Sequence, residues 1–284
     1  SVETLNHLSE DSYKRGFTFP DWLPVPPVRK SRKAVAEVDK LILGIIEQRR
    51  KTGGDQGDLL SMLLLAQDED DGGQMTDHQV RDEAVTLFLA GHETTANTLA
   101  WAFYLLAKHP EVAAKLTEEL DRVLGGRAPT LQDLGQLTYT DWVIKEAMRL
   151  YPPAWVLNAR TPQVDVEIDG YTLLKGSNVF ISPYVMHHDP RYFADPEAFK
   201  PERWANDFEK SLPRYVYFPF GGGPRVCIGN SFAMMEARLI LANIAQEFEL
   251  HVAETVVPEP LITLRPCGEI RATIKPRIKA ALPA

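Results

Sequence analysis

The chain has 284 residues, 44% of them hydrophobic and 25% charged, the make-up of an ordinary globular protein with length for one large domain or two small ones. Thirty-nine acidic side chains against 31 basic ones give a formal net charge of −8, and the absence of a dense Lys/Arg tract argues against nucleic acid as a partner. Two cysteines, Cys227 and Cys267, are too few for a disulfide framework or a four-thiolate zinc site, and point to a reducing compartment where a thiol is kept for its chemistry.

No charged-then-apolar leader opens the sequence, and it begins at Ser1 without an initiator Met, as expected of a processed chain or a fragment. Pro20, Pro24, Pro26 and Pro27 predict irregular backbone over the first thirty residues. Val35, Val38, Leu41, Ile42, Ile45 and Ile46 then recur at helical spacing. Arg49, Arg50 and Lys51 close that helix where its dipole favours cations. Arg29, Lys30, Arg32 and Lys33 read as its solvated start, and an acidic, Gly-bearing loop is expected at 68–73.

Thr76 and Gln79 form a capping-box pair that opens a second helix. No proline interrupts it before Pro110, so it is expected to run through about Lys108, roughly 50 Å. Within it, the apolar run 84–106 is long enough to span a bilayer, but His92, Glu93, Thr94 and Thr95 stand in its middle. A central charge in lipid costs roughly 2.5–3.5 kcal/mol, so the run reads as a buried helix and no membrane contact is expected. A helix opened by Pro110 and stopped by Gly125-Gly126 follows, then one from about Thr140 to Leu150, ended by Pro152-Pro153.

Between Trp155 and Tyr184 the pattern turns to short β runs: 164–168 alternates, Asp169-Gly170 is a hairpin turn, and 179–181 follows. Residues 186–217, rich in Pro and Asp, read as loop. The glycine-rich run 218–229 leads into a helix over about 231–248, and the tail holds one or two short strands. No internal repeat or low-complexity segment is present. The expected fold class is mainly α with a small β portion (α+β), in a single domain over 1–284 whose β region covers about 155–184 and the C-terminal tail.

Several groups of residues carry chemistry. Ala90-Gly91-His92-Glu93-Thr94-Thr95 is a weak helical segment inside a strong helix. His92-Glu93 invites a zinc-protease reading, but position 96 is Ala96 where a second histidine is needed, and the motif fails. The plain reading of Glu93-Thr94 is two polar residues on an exposed side. Leu87, Phe88, Leu89, Leu99, Trp101, Phe103 and Leu105 make the helix apolar nearly all round, so an acid and an alcohol at its centre suggest proton delivery. Glu146 and Arg149, at i and i+3, read alone as a surface ion pair. Arg203 alone is uninformative, and His187-His188 reads as a solvated loop pair.

The glycine-rich run lacks the Gly-Lys-Ser/Thr ending and the preceding strand of a phosphate loop. A metal-bound thiolate suits it better. Its glycines let backbone approach a flat cofactor closely. Cys227 precedes a helix whose N-terminal amides favour a thiolate, and Arg225 adds positive charge. A thiol with an ordinary pKa of about 8.5 needs such help. Cys267, beside Pro266, reads as a small buried apolar residue.

Taken together and in order, Ala90-Gly91-x-Glu93-Thr94-Thr95, Glu146-x-x-Arg149, Pro201-Glu202-Arg203 and Phe220-x-x-Gly223-x-Arg225-x-Cys227-x-Gly229 resemble the cytochrome P450 haem-thiolate monooxygenases. From about residue 30 onward the chain is similar to the C-terminal two-thirds of that family. The resemblance implies a cytochrome P450-like fold with its N-terminal third absent, and haem (heme b, iron protoporphyrin IX) as cofactor. It makes Cys227 the axial iron ligand, whose thiolate pushes electron density toward the iron. Pro219, Phe220, Gly221, Ile228, Gly229, Phe232 and Ala233 would lie against the haem, with Arg225 and Arg160 at its propionates. Glu146, Arg149 and Arg203 would form a buried structural triad behind it. Ala90, Gly91, Glu93, Thr94 and Thr95 would face the distal side, where oxygen binds, and Ala154-Trp155-Val156-Leu157 looks like a substrate-lining strand entry. Trp204 stands where Phe is commonest, and His188 where Arg often stands.

The implied activity is activation of O2 with two electrons arriving singly, Thr94 and Glu93 relaying protons, and hydroxylation of a hydrophobic small-molecule substrate such as a fatty acid or terpenoid. The electron donor would be a ferredoxin, a flavodoxin-like protein or a reductase, and the setting that of a soluble, cytoplasmic, bacterial-type enzyme. The intact Thr94 and the unbroken Cys loop set it apart from the family's peroxide-using and isomerase-like branches. Two other readings stay open at this point: a truncated or sensor haem module without turnover, and a zinc hydrolase, weakened by Ala96.

Overall fold

A computed structural model describes residue 8 and residues 11–12, 14–67 and 72–277. Most of the expected acidic loop at 68–73 lies outside the described residues. The chain divides into two compact units, Ser1–His92 and Glu93–Ala284, with the boundary inside one long helix.

In the first unit, helix α1 (Pro26–Thr52) starts within the stretch expected to be irregular. Its first residue is a proline, whose missing N–H costs nothing in the first turn and whose fixed φ already suits a helix. Arg49, Arg50 and Lys51 fill its last turn. Helix α2 (Leu59–Leu65) is an element the sequence pattern did not reveal. Asp58 caps it by accepting from the Ser61 N–H at 2.9 Å and also pairs with Arg49 at 2.6 Å. Ile46, Leu64 and Val80 form this unit's buried core, flanked by Ile42, Leu60 and Met75. The capping box that opens helix α3 (Asp77–Lys108) is present: Thr76 N–H donates to Gln79 Oε1 at 2.9 Å, and Gln79 N–H to Thr76 Oγ1 at 3.3 Å.

The second unit packs the later part of α3 with α4 (Pro110–Leu124), α5 (Thr138–Leu150) and α8 (Asn230–Ala245). Trp101, Leu116, Leu120, Ile144 and Leu241 are its fully buried centre. Helix α4 ends at Gly125 in the left-handed region (φ 58°), which a residue without Cβ adopts freely. The Glu119 carboxylate of α4 accepts from the backbone N–H groups of Tyr139 and Thr140, at 2.7 and 2.9 Å, and so caps the start of α5. Helix α6 (Pro183–His187) straddles the end of the stretch expected to be β and the start of the expected loop, which also holds a 3-10 turn at Pro201–Trp204 and α7 (Phe208–Ser211).

The β portion described consists of two-stranded antiparallel sheets. β1 (Leu157–Arg160) pairs with β4 (Val179–Ile181). β2 (Val166–Ile168) pairs with β3 (Tyr171–Leu173) across Asp169-Gly170, both at positive φ as a tight hairpin turn requires. The tail holds four strands where one or two were expected: β5 (Phe248–His251) with β8 (Thr273–Pro276), and β6 (Pro258–Pro260) with β7 (Leu264–Pro266). Helix α8 therefore stops at Ala245, short of the expected 248, because Phe248 is already paired with Pro276. Trp101 Nε1 donates to the Leu264 carbonyl at 3.1 Å and Trp155 Nε1 to that of Leu261 at 2.8 Å, which fixes the β6–β7 turn. No described helix is long and apolar enough to cross a membrane.

Thr76→Ala removes one arm of the box at the start of α3. Chemical denaturation should show a loss of about 1 kcal/mol, with faster hydrogen exchange confined to the helix's first turn.

Candidate functional site

The charged pair at i, i+3 is not on the surface. Glu146 and Arg149 are both fully buried on α5. Two buried charges are tolerated only if the partners and remaining hydrogen bonds are all supplied. Arg149 Nε and Nη2 donate to the two Glu146 oxygens at 3.0 and 2.9 Å. Its remaining donors reach the carbonyls of His187, Pro196 and Ala198 at 2.7–3.1 Å. Glu146 also accepts from Arg203 Nε (3.3 Å), the Trp204 indole (3.0 Å) and the Lys200 backbone N–H (3.1 Å). The triad inferred from the resemblance is thus a buried hydrogen-bonded cluster, with Trp204 as an added member that the sequence did not reveal.

His187 is likewise not a solvated loop residue. It ends α6 fully buried, and its Nε2 accepts from the Phe218 N–H at 3.0 Å. Burial, and then the neighbouring Arg149 charge, push its pKa down to about 3, so the ring is neutral. His188 is mostly buried and is shifted down by the same burial; its Nδ1 donates to the Tyr184 carbonyl at 2.7 Å.

The strap from Phe218 to Cys227 is built by backbone bonds. Gly221 N–H donates to the Phe218 carbonyl and Cys227 N–H to that of Phe220, both at 2.9 Å, and Gly223–Arg225 makes a 3-10 turn between them. Gly221 and Gly223 lie at positive φ (72° and 67°), and a Cβ on Gly222 would collide with the Tyr215 ring. Ala233 N–H donates to the Gly229 carbonyl at 2.8 Å, the first bond of α8. Cys227 is exposed just before this helix, with Ile228 (85% exposed), Phe232 (60%) and Val226 around it. Pro219, Phe220, Gly221, Gly229 and Ala233 are half-buried in the same strap and first turn. Arg225 is exposed and makes no ion pair among the described residues. Arg160, exposed at the end of β1, donates only to the nearby Asn158 carbonyl at 2.8 Å.

On α3, Glu93 and Thr94 are half-buried and Thr95 is buried, its hydroxyl without a hydrogen-bond partner among the described residues. Ala90 and Gly91 are exposed on the part of the helix that belongs to the first unit. Glu93 Oε1 accepts from Thr263 Oγ1 at 2.5 Å, and Thr263 Oγ1 accepts from Asn97 Nδ2 at 3.1 Å. Asn97, one helical turn after Glu93, was findable from its i, i+4 spacing. Thr263, in the β6–β7 turn of the tail, gave no signal. The free Cys267 is exposed, against the expectation of a buried thiol. Among the described residues no group of three or more His, Cys, Asp or Glu side chains is placed to hold a metal ion.

The depressed pKa of His187 makes stability depend on pH. Its neutral form is held in the fold while the unfolded chain takes up a proton below about 6.5, so its contribution is complete above that pH and is lost as pH falls toward 3. Urea titrations from pH 7 to pH 5 should show stability falling by up to about 1.4 kcal/mol per pH unit per such histidine. His188 acts in the same direction, and His187→Gln should flatten the slope.

An exposed thiol with exposed apolar side chains next to it, and the Arg225 and Arg160 guanidinium groups without an ion pair among the described residues, are a donor set that suits a flat, apolar, doubly anionic macrocycle bound through its metal. The comparisons with known proteins agree with that chemistry. The cytochrome P450 family model matches residues 2–275. Cyclooctatin synthase of Streptomyces melanosporofaciens is 43% identical over 258 residues, 90% of this chain and 56% of that protein. Cyclooctat-9-en-7-ol 5-monooxygenase of the same organism is 41% identical over 249 residues, 87% of this chain and 54% of the relative. Pentalenene oxygenase of Streptomyces avermitilis is 37% identical over 244 residues, 86% and 53%. The crystal structure of the cytochrome P450DA heme domain superposes with a TM-score of 0.87 at 30% identity, covering 98% of this chain and 61% of that one. The chain spans little more than half the length of the curated relatives it matches. By sequence and by fold it belongs to the cytochrome P450 family, whose cofactor is haem.

Proposed function

We propose that the chain carries most of the haem site of a monooxygenase that hydroxylates a hydrophobic small molecule with O2 and two electrons, and that its two compact units belong to one haem domain. The observation that carries this reading is the exposed Cys227 thiol just before α8, on a residue whose backbone N–H donates to the Phe220 carbonyl, with Val226, Ile228 and Phe232 exposed in the same segment. When bound, the haem supplies dioxygen binding and its reductive activation.

The chain's own residues supply the rest. Cys227 would hold the iron through its sulfur, beside the N-terminus of α8 and two residues after Arg225. Pro219, Phe220, Gly221, Ile228, Gly229, Phe232 and Ala233 exclude water from one face of the ring. Arg225 and Arg160, without carboxylate partners among the described residues, would take the propionates. Ala90, Gly91 and Thr95 line the oxygen side. The Thr94 hydroxyl and the Glu93 carboxylate deliver protons there, with Glu93 held in place by Thr263, whose hydroxyl accepts in turn from Asn97. Relatives named for oxygenation of pentalenene and of cyclooctat-9-en-7-ol favour a terpenoid over a fatty acid as substrate. The electron donor is a ferredoxin, a flavodoxin-like protein or a reductase, and the compartment is the cytoplasm.

The carbon monoxide difference spectrum of the reduced chain tests the thiolate. A strongly red-shifted Soret band that disappears in Cys227→Ser supports the ligand role, and haem with an unshifted band in the unaltered chain overturns it. Thr94→Ala should lower product formed per electron pair by about tenfold or more while reductant and oxygen continue to be consumed; unchanged coupling would sink that role. Oxygen uptake without any product from a panel of terpenoids and fatty acids would favour the haem module without turnover.

A further inference from the structure

Between the buried Glu146–Arg149 pair and the strap of Cys227 stands one imidazole. His187 is held at both ends. Its carbonyl accepts from Arg149 Nη1 at 2.9 Å, and its ring Nε2 accepts from the Phe218 N–H at 3.0 Å. The ring is flanked by those of Tyr217 and Phe218, with centroids at 5.0 and 5.5 Å. Phe218 in turn receives the Gly221 N–H on its carbonyl, and two residues on the Phe220 carbonyl receives the Cys227 N–H. A continuous path of hydrogen bonds and short stretches of backbone thus runs from the Glu146 carboxylate to the backbone of Cys227.

We propose that His187 is a positioning residue that fixes the Phe218–Cys227 strap, and through it the Cys227 thiol, in the geometry that ligates the haem iron. The inference rests on the reading of Cys227 as ligand. The Phe218 N–H is buried, so it must be paired, and the acceptor that pairs it sits on a rigid ring with only two side-chain torsions. An aliphatic residue in its place would leave that N–H to find another acceptor, and the strap would shift to provide one. The neutral ring is essential, because a protonated imidazole has no lone pair to offer.

Three variants test this. His187→Leu keeps most of the volume and removes the acceptor. His187→Gln carries an oxygen near the reach of Nε2. His187→Asn has an amide too short to reach Phe218, and serves if the leucine variant does not fold. The readout is the share of retained haem that shows the red-shifted Soret band in the reduced carbon monoxide complex, scored separately from total haem content. In His187→Leu and His187→Asn the ratio of shifted to unshifted haem should fall about tenfold, and His187→Gln should restore most of it. Variants that lose haem or stability while the remaining haem stays fully shifted would overturn the proposal and leave His187 a packing residue. So would a glutamine variant no better than leucine. An unshifted band in the unaltered chain would instead overturn the ligand reading, and the proposal with it.

Discussion

A carboxylate taken wholly out of water must collect hydrogen-bond donors or give up its charge. Glu146 collects five, from two arginines, an indole and a backbone amide, drawn from α5, the Pro201–Trp204 turn and Lys200 just before it. Arg149 then spends its other donors on three carbonyls of the 187–198 segment. A stretch with almost no regular secondary structure is organised in this way by one ion pair rather than by periodic bonding. The Cys227 strap inherits that organisation, since its first residue is tied to the same segment.

The site itself is built on the opposite plan. Around Cys227 the side chains are apolar and exposed, with Ile228 and Phe232 open to solvent. Contiguous exposed apolar surface beside a reactive thiol is a liability unless something covers it. A flat macrocycle seated there would remove that surface from water and use the thiol in one step.

Much of this was legible in the sequence because the signals are local. Thr76 with Gln79, and Pro110 with Gly125, mark helix ends within a few residues of the bonds they make. The glycines, Cys227 and the following helix are contiguous, so the strap can be read in one pass. The remainder depends on distant partners. The end of α8 is set by Phe248 pairing with Pro276, and Glu93 is held by Thr263, 170 residues away. The spacing of Glu146 and Arg149 is the same for a surface pair and a buried one; only the other motifs in company favoured burial. His187 lies in a Pro- and Asp-rich stretch whose composition says loop, and composition carries no information on what covers a loop.

The carboxylate of Glu119 has a consequence for motion. It closes the first turn of α5 from a neighbouring helix, so α5 cannot fray from its start without also drawing a buried charge of α4 into water. The two helices therefore open as a single cooperative segment, and the helix that carries Glu146 and Arg149 takes on the slow opening of the core.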